Sequence, residues 1–87
     1  MKFYYTYVLL SLKDKKLYIG YADDLINRIS KHNAGDVEST KNRRPLKLIY
    51  YEACLIKEKA IKREKQLKTG FGRSYLKKRV NYATVAE

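Results

Sequence analysis

Arg28 and His32 stand four residues apart, the spacing that puts two side chains on one face of a helix, where both can address a single phosphate. Arg suits the planar clamp on phosphate oxygens, and His can donate to or accept from water near neutral pH. A solvated helix face carrying a lone histidine has the same spacing. Tyr7 and Tyr18 fall on two segments that read as the strands of a hairpin. The chain has nine tyrosines, and Tyr4, Tyr5, Tyr50 and Tyr51 are expected to be ordinary half-buried strand residues. Glu64 and Lys68 are also four apart, as in a surface ion pair on a helix.

What these residues would act on is suggested by charge. The formal net charge is +11 over 87 residues, with a sequence pI near 9.8. Residues 1–40 hold six Lys/Arg against five Asp/Glu, whereas residues 41–79 hold fourteen against three, and residues 80–87 add a net −1. An excess confined to one half of the chain is the pattern of a nucleic-acid footprint. The loop Ser39-Thr40-Lys41-Asn42-Arg43-Arg44, with Lys57 to Lys68 and Arg73 to Arg79, forms the expected phosphate track, in which Lys41, Arg43, Arg44, Lys57, Lys68, Arg73 and Lys77 are the named contacts. No helix-turn-helix or zinc finger is present, so base specificity is expected to be weak or supplied by a protein partner. DNA rather than RNA is the expected ligand.

Other classes are disfavoured. Cys54 is the one cysteine, which leaves no internal disulfide and no CxxC metal site, and it reads as a small apolar residue beside strand and helix. The opening MKFYYTYVLL is too short for a membrane span and lacks a small-residue cleavage site. It reads as a strand, and a cytoplasmic location is expected. With 45% apolar and 33% charged residues, the chain has the composition of one small globular domain spanning 1–87. Such a domain buries only about 60% of its unfolded surface.

The elements that must position these residues are legible in outline. Phe3 to Leu10 and Leu17 to Tyr21 are rich in β-branched and aromatic residues, with the polar stretch Ser11 to Lys16 as a hairpin loop. If that loop centres near Asp14, Leu9 lies opposite Tyr18, and Tyr7 is its diagonal neighbour on the same face. A one-residue slip would separate them. Asp23 or Asp24 caps a helix with Leu25, Ile26 and Ile29 as its apolar stripe, and Gly35 ends it. Residues 36–45 form a polar loop, and Pro45 precedes a third strand, Leu46 to Tyr51. A helix from about Leu55 to Thr69 follows, with Ala60, Ile61 and Leu67 inward and Gly70 as its C′ residue. A short basic helix, Arg73 to Val80, closes the chain. The order β-β-α-β-α-α gives an α/β (α+β) fold, a three-stranded antiparallel sheet flanked by helices.

Tyr7-Val8-Leu9 and Tyr18-Ile19-Gly20, whose tyrosines are separated by ten residues, resemble the paired signatures of GIY-YIG nucleases. The second signature is literal. The first keeps its Tyr as Tyr7, with Tyr5 and Thr6 where Gly and Ile would stand. Arg28 and His32 match the family's R-x-x-x-H on the first helix, and Glu64 resembles its metal-binding Glu on a later helix. The resemblance runs from residue 4 to about 80 and is nearest the small stand-alone bacterial members, similar to the nuclease module of the excision-repair incision subunit. Two features depart from the pattern. The family's Asn after the Glu helix has only Asn81 as a counterpart, at doubtful spacing, and no second histidine stands near Lys41.

The resemblance implies a metal-dependent endonuclease acting on structured or damaged DNA, in repair or recombination, with Tyr7, Tyr18, Arg28, His32 and Glu64 as catalytic residues. Glu64 would hold Mg²⁺ or Mn²⁺, because one carboxylate with waters and substrate phosphate is a common Mg²⁺ arrangement. One of the two phenols would handle the attacking water. A free phenol is only roughly one part in a thousand ionised at pH 7, so neighbouring positive charge would be needed to activate it. Gly20 is expected to admit a close approach of backbone or ligand at the strand end. The alternative is a non-catalytic nucleic-acid-binding module that keeps the fold.

Overall fold

The computed structural model describes residues 1–81; Glu87, which carries the negative charge of the chain's end, lies outside them. Three strands, β1 (Tyr4–Ser11), β2 (Leu17–Ala22) and β3 (Leu46–Cys54), form one antiparallel sheet in the order β2-β1-β3. Three helices follow the expected order: α1 (Leu25–Ala34), α2 (Lys57–Leu67) and α3 (Gly70–Arg79). The central strand is the most apolar, and Thr6 to Ser11 are all buried. Its alternating side chains feed two cores. Tyr7 and Leu9 pack with Ala22, Leu46 and the α1 residues Leu25 and Ile29. Val8 packs on the other face with Ile19, Leu67 and Leu76, so α2 and α3 cover that side.

The hairpin register is the one expected, with Leu9 opposite Tyr18 and Tyr7 opposite Gly20. Its turn is strongly specified. The Ser11 hydroxyl accepts from the backbone N–H groups of Lys13 and Asp14, and the Asp14 carboxylate accepts from that of Lys16. α1 begins at Asp24, whose carboxylate accepts from Asn27 N–H, and ends at Gly35, where φ is +84°. The Asn33 side chain then exchanges two hydrogen bonds with the Leu46 backbone, one in each direction, and so pins α1 to the start of β3.

Several expectations need correction. Ile26 is 82% exposed; at 100° per residue Leu25, Ile29 and His32 define the inward stripe, and Ile26 lies outside it. β3 continues to Cys54, which is partly buried and donates through Sγ to Ile56 O. Tyr51 is 53% exposed rather than half-buried. Gly70 is not a left-handed C′ residue but the first residue of α3, capped by the Thr69 hydroxyl accepting from Gly72 N–H. α2 instead ends at Leu67, with Lys68 as its right-handed cap. α3 can start this early because Gly72 packs directly on the Leu67 backbone, where a Cβ would collide. The polar loop contains a 3-10 turn, Lys41–Arg43.

Candidate active site

Tyr7 is the centre of the site. It lies on the middle strand with no exposed surface, and its ring crosses β2 at Gly20. A Cβ on Gly20 would sit 2.5 Å from both the Tyr7 hydroxyl and Cζ. Gly20 therefore admits the Tyr7 phenol, which is a more specific role than the general close approach expected of it. The phenol oxygen is 2.8 Å from His32 Nε2 and accepts from Arg28 Nε at 3.4 Å. His32 Nδ1 is in turn 2.7 Å from the Thr40 hydroxyl. The result is a chain, Arg28–Tyr7–His32–Thr40, buried except at its Arg28 end, that ties the middle strand, α1 and the loop after α1 together.

Two proton arrangements satisfy this chain. In one, the phenol donates to Nε2 and Nδ1–H donates to Thr40. In the other, Thr40 donates to Nδ1 and Nε2–H donates to the phenol, whose own proton is then available to a neighbour. Either way the imidazole is neutral at pH 7. Burial, with a lesser contribution from the Arg28 charge, pushes its pKa down to about 4. Burial also raises the Tyr7 pKa above that of an ordinary phenol, against the opposing effect of the Arg28 hydrogen bond. Tyr7 is thus a neutral, fixed phenol, and the activation by positive neighbours that the sequence suggested does not prevail there.

Tyr18 stands beside this chain on edge strand β2. Its ring centroid is 5.1 Å from that of His32 and 6.4 Å from that of Tyr7. Unlike Tyr7 it is only partly buried. The phenols of Tyr7 and Tyr18 both favour the charged form of Arg28, the hydrogen bond to Tyr7 contributing most. Glu64, on α2, acts on the Tyr7 phenol through its charge. Four of the five expected catalytic residues, Tyr7, Tyr18, Arg28 and His32, are therefore in mutual contact, and Glu64 reaches them through its charge. Glu64 also makes the plain i,i+4 pair with Lys68, at 2.8 Å. Among the described residues no three His, Cys, Asp or Glu side chains gather as a metal cage.

The expected phosphate track divides. Lys57, Arg73 and Lys77 are exposed. Arg44 is exposed too, with Nε donating to Lys41 O and its guanidinium lying over Gly35. Lys41 pairs with Glu38 at 3.1 Å. Arg43 is used internally: it binds Asp14 at 2.7 Å and donates to the carbonyls of Lys16 and Leu17. That guanidinium holds the Asp14 carboxyl well below the usual carboxylate range. Thr40, counted with the phosphate loop, is buried behind His32. Its role was not legible, because a threonine in a polar loop carries no mark of facing inward. Asn81 lies beyond the end of α3.

Comparison with known proteins gives a consistent result. Residues 3–80 match the GIY-YIG catalytic domain. A UPF0213 protein of Staphylococcus saprophyticus is 46% identical over 67 residues, which span 76% of this chain and 80% of that protein. A UPF0213 protein of Staphylococcus epidermidis is 44% identical over 62 residues, 70% of this chain and 76% of that protein. The solution NMR structure of a UPF0213 protein from Bacillus halodurans has a TM-score of 0.52 and 32% identity, over 85% of this chain and 81% of that one.

Proposed function

This chain belongs to the GIY-YIG catalytic-domain family, and on that footing we propose that it is a metal-dependent endonuclease that hydrolyses phosphodiester bonds in DNA. The observation that carries the proposal is the bonded set Arg28–Tyr7–His32, buried at Tyr7 and His32, with the Tyr18 ring against it and the Glu64 charge within its reach, an arrangement that nucleic-acid binding alone would not require. In hydrolysis, water adds to phosphorus, one P–O ester bond breaks, and the leaving oxygen takes up a proton. The protein must hold the phosphate, take a proton from water and offset developing charge.

Each residue has a part that its surroundings support. Arg28 clamps the non-bridging oxygens, its Nε anchored on the Tyr7 oxygen so that the rest of the fork can face the substrate. Tyr7 and His32 are positioning residues: one orients Arg28, the other locks Tyr7 against Thr40. Tyr18 is the phenol left to meet water, since Tyr7 is enclosed and its ionisation is opposed by burial. Glu64 fits a divalent cation as a hard oxygen donor, in a one-carboxylate site that Mg²⁺ or Mn²⁺ would complete with water and substrate phosphate. When bound, the cation would neutralise charge on the phosphoryl and leaving oxygens.

Branched or damaged DNA is the substrate class we favour, since no base-reading element stands among the described residues to select a sequence. A protein partner would supply any specificity, and the expected setting is the cytoplasm. Among the described residues no helix is long and apolar enough to cross a membrane. The test is purified protein with Mg²⁺ or Mn²⁺ against plasmid, single-stranded, branched and RNA substrates. Metal-dependent cutting of DNA is expected. Tight binding without cutting on every substrate would instead favour the non-catalytic module.

A further inference from the structure

A groove of about 690 Å³ runs between the β1–β2 turn, the outer edge of β2 and the junction of α2 with α3. We propose that it seats unpaired nucleotides of a single-stranded segment next to the cleaved phosphate. This deepens the nuclease reading, and rests on it for which phosphate is cut but not for what the groove binds. The volume is within the range of about 300–1,000 Å³ usual for small-molecule sites.

Its walls have two characters. Lys15, Lys16, Lys68 and Arg73 ring it with positive charge, and among the described residues no acid lines it. The nearby carboxylates are occupied, Asp14 by Arg43 and Glu64 by Lys68. Its apolar lining is Leu17, which keeps some exposed surface, with the more deeply buried Ile19 and Leu67, and Tyr18 is a further lining residue. A duplex backbone offers only phosphates and sugars to such a surface and would leave the apolar lining unused. An unpaired nucleotide presents both a charged phosphate and a flat apolar base. Basic grooves that combine charge with aromatic or apolar stacking surfaces are how single strands are held.

Two further observations support this ligand. β2 is an edge strand, so among the described residues its outer backbone edge takes no partner strand, and beyond Leu17, whose carbonyl accepts from Arg43, its outward N–H and C=O groups can meet base edges. Lys15 has φ +62°, a left-handed conformation that Gly or Asn adopts more readily. A lysine at that turn position directs a cation to the groove where local backbone preference alone would not place one. Tyr18 and Lys68 also join the groove to the site: Tyr18 meets His32 edge to face, and Lys68 pairs with Glu64. A strand leaving the site therefore passes into it.

The test is binding without divalent metal, in EDTA, so that no cutting intervenes. Fluorescence anisotropy compares blunt duplex DNA with duplexes carrying a DNA or RNA overhang of the same sequence. The groove variant is Lys15→Gly with Arg73→Ala, both at exposed positions, the first with a residue suited to positive φ; the control, Lys57→Ala with Lys77→Ala, removes the same charge elsewhere. The groove variant should lose roughly tenfold in affinity for overhangs and much less for blunt duplex, whereas the control should weaken both alike. Selective loss with either sugar supports the groove. Equal losses on overhang and blunt duplex in the groove variant would overturn it. Photo-crosslinking from 5-iodouracil in the overhang should map to Tyr18, and crosslinks confined to residues outside the groove would also overturn it. Selective binding without any metal-dependent cutting would remove the nuclease and keep the groove; cutting with equal binding losses would do the reverse.

Discussion

The ring of Tyr7 occupies the space that a side chain at Gly20 would need: a Cβ there would lie 2.5 Å from the Tyr7 hydroxyl. The two residues are direct partners in the β1–β2 ladder. The glycine of the second signature is thus the receptor for the tyrosine of the first. Gly20→Ala should displace the phenol from Arg28 and His32, costing about 1–3 kcal/mol as overpacking of a tight site. Thermal unfolding and single-turnover cleavage should both report the loss. A variant with unchanged rate and stability would show that the ring is free to move.

The two phenols should separate by the kind of damage their loss causes. Tyr7→Phe leaves buried His32 Nε2 without its partner, so about 1–3 kcal/mol of stability should go, and the rate should fall with the loss of Arg28's anchor. Tyr18→Phe removes a hydroxyl from a partly exposed residue, so melting should hardly move while the rate drops about 10²–10⁴-fold, as for loss of a general base. Tyr51→Phe, on an exposed ring, is the silent control. Full cleavage by Tyr18→Phe would take that phenol out of the chemistry.

The element order and hairpin register were legible because β1 and β2 are strongly biased strands and the Ser11–Lys16 turn has one comfortable length. The grouping of four candidate residues was legible in part from periodicity, since Arg28 and His32 share a helix face and Leu9 opposite Tyr18 brings Tyr7 near, whereas Glu64 was marked out by the family resemblance alone. Side-chain partners were less so. Arg43 reads as one more phosphate contact until the fold brings Asp14 beside it, 29 residues away in sequence. Ile26 reads as core because hydrophobicity alone cannot say which side of a short helix meets the sheet. Lys15 and Lys16 escaped notice because the charge balance of residues 1–40 averages away where each cation points.

His32 should give stability a measurable pH dependence. Its folded pKa, about 4, lies below the value of 6.5 for an ordinary imidazole. Between these values the unfolded chain binds the proton and the folded chain does not, so stability rises with pH. The contribution is complete above about pH 6.5 and is lost as pH falls toward 4, to a total of up to roughly 3 kcal/mol. Melting followed from pH 4 to 7 should show a smaller slope in His32→Gln than in the wild type. The carboxylates titrate in both proteins, so the difference isolates the imidazole. Parallel curves would mean that His32 is freely protonated in the fold.

Arg43 and Lys57 provide a contrast between internal and external cations. Arg43→Ala breaks the ion pair to Asp14 and two hydrogen bonds to β2-side carbonyls. It should lower the melting temperature and leave the salt slope of DNA binding little changed. Lys57→Ala, at an exposed position, should do the opposite, reducing the slope by about 1 if it contacts one phosphate. A salt slope that falls as much for Arg43→Ala would return that side chain to the phosphate track.

Glu64 and Lys68 allow the metal role to be tested against the ion pair that shares its carboxylate. Lys68 Nζ lies 2.8 Å from Glu64 Oε2, so a cation arriving at Glu64 must displace or share with an ammonium. Glu64→Gln keeps the side-chain shape and removes the charge. It should abolish metal-stimulated cleavage while DNA affinity in EDTA stays within about a few-fold, because the carboxylate holds the cation and not the phosphate backbone. Lys68→Gln removes the competitor instead. The metal concentration for half-maximal cleavage should then fall about two- to fivefold, the range expected from the modest worth of a partly exposed pair. The fall should shrink as salt is raised, since screening already weakens the pair in the wild type. The two variants therefore pull metal dependence in opposite directions if Glu64 is the ligand. An unchanged metal profile in both would leave the pair as a helix-surface contact and send the search for the cation's ligand elsewhere in the site.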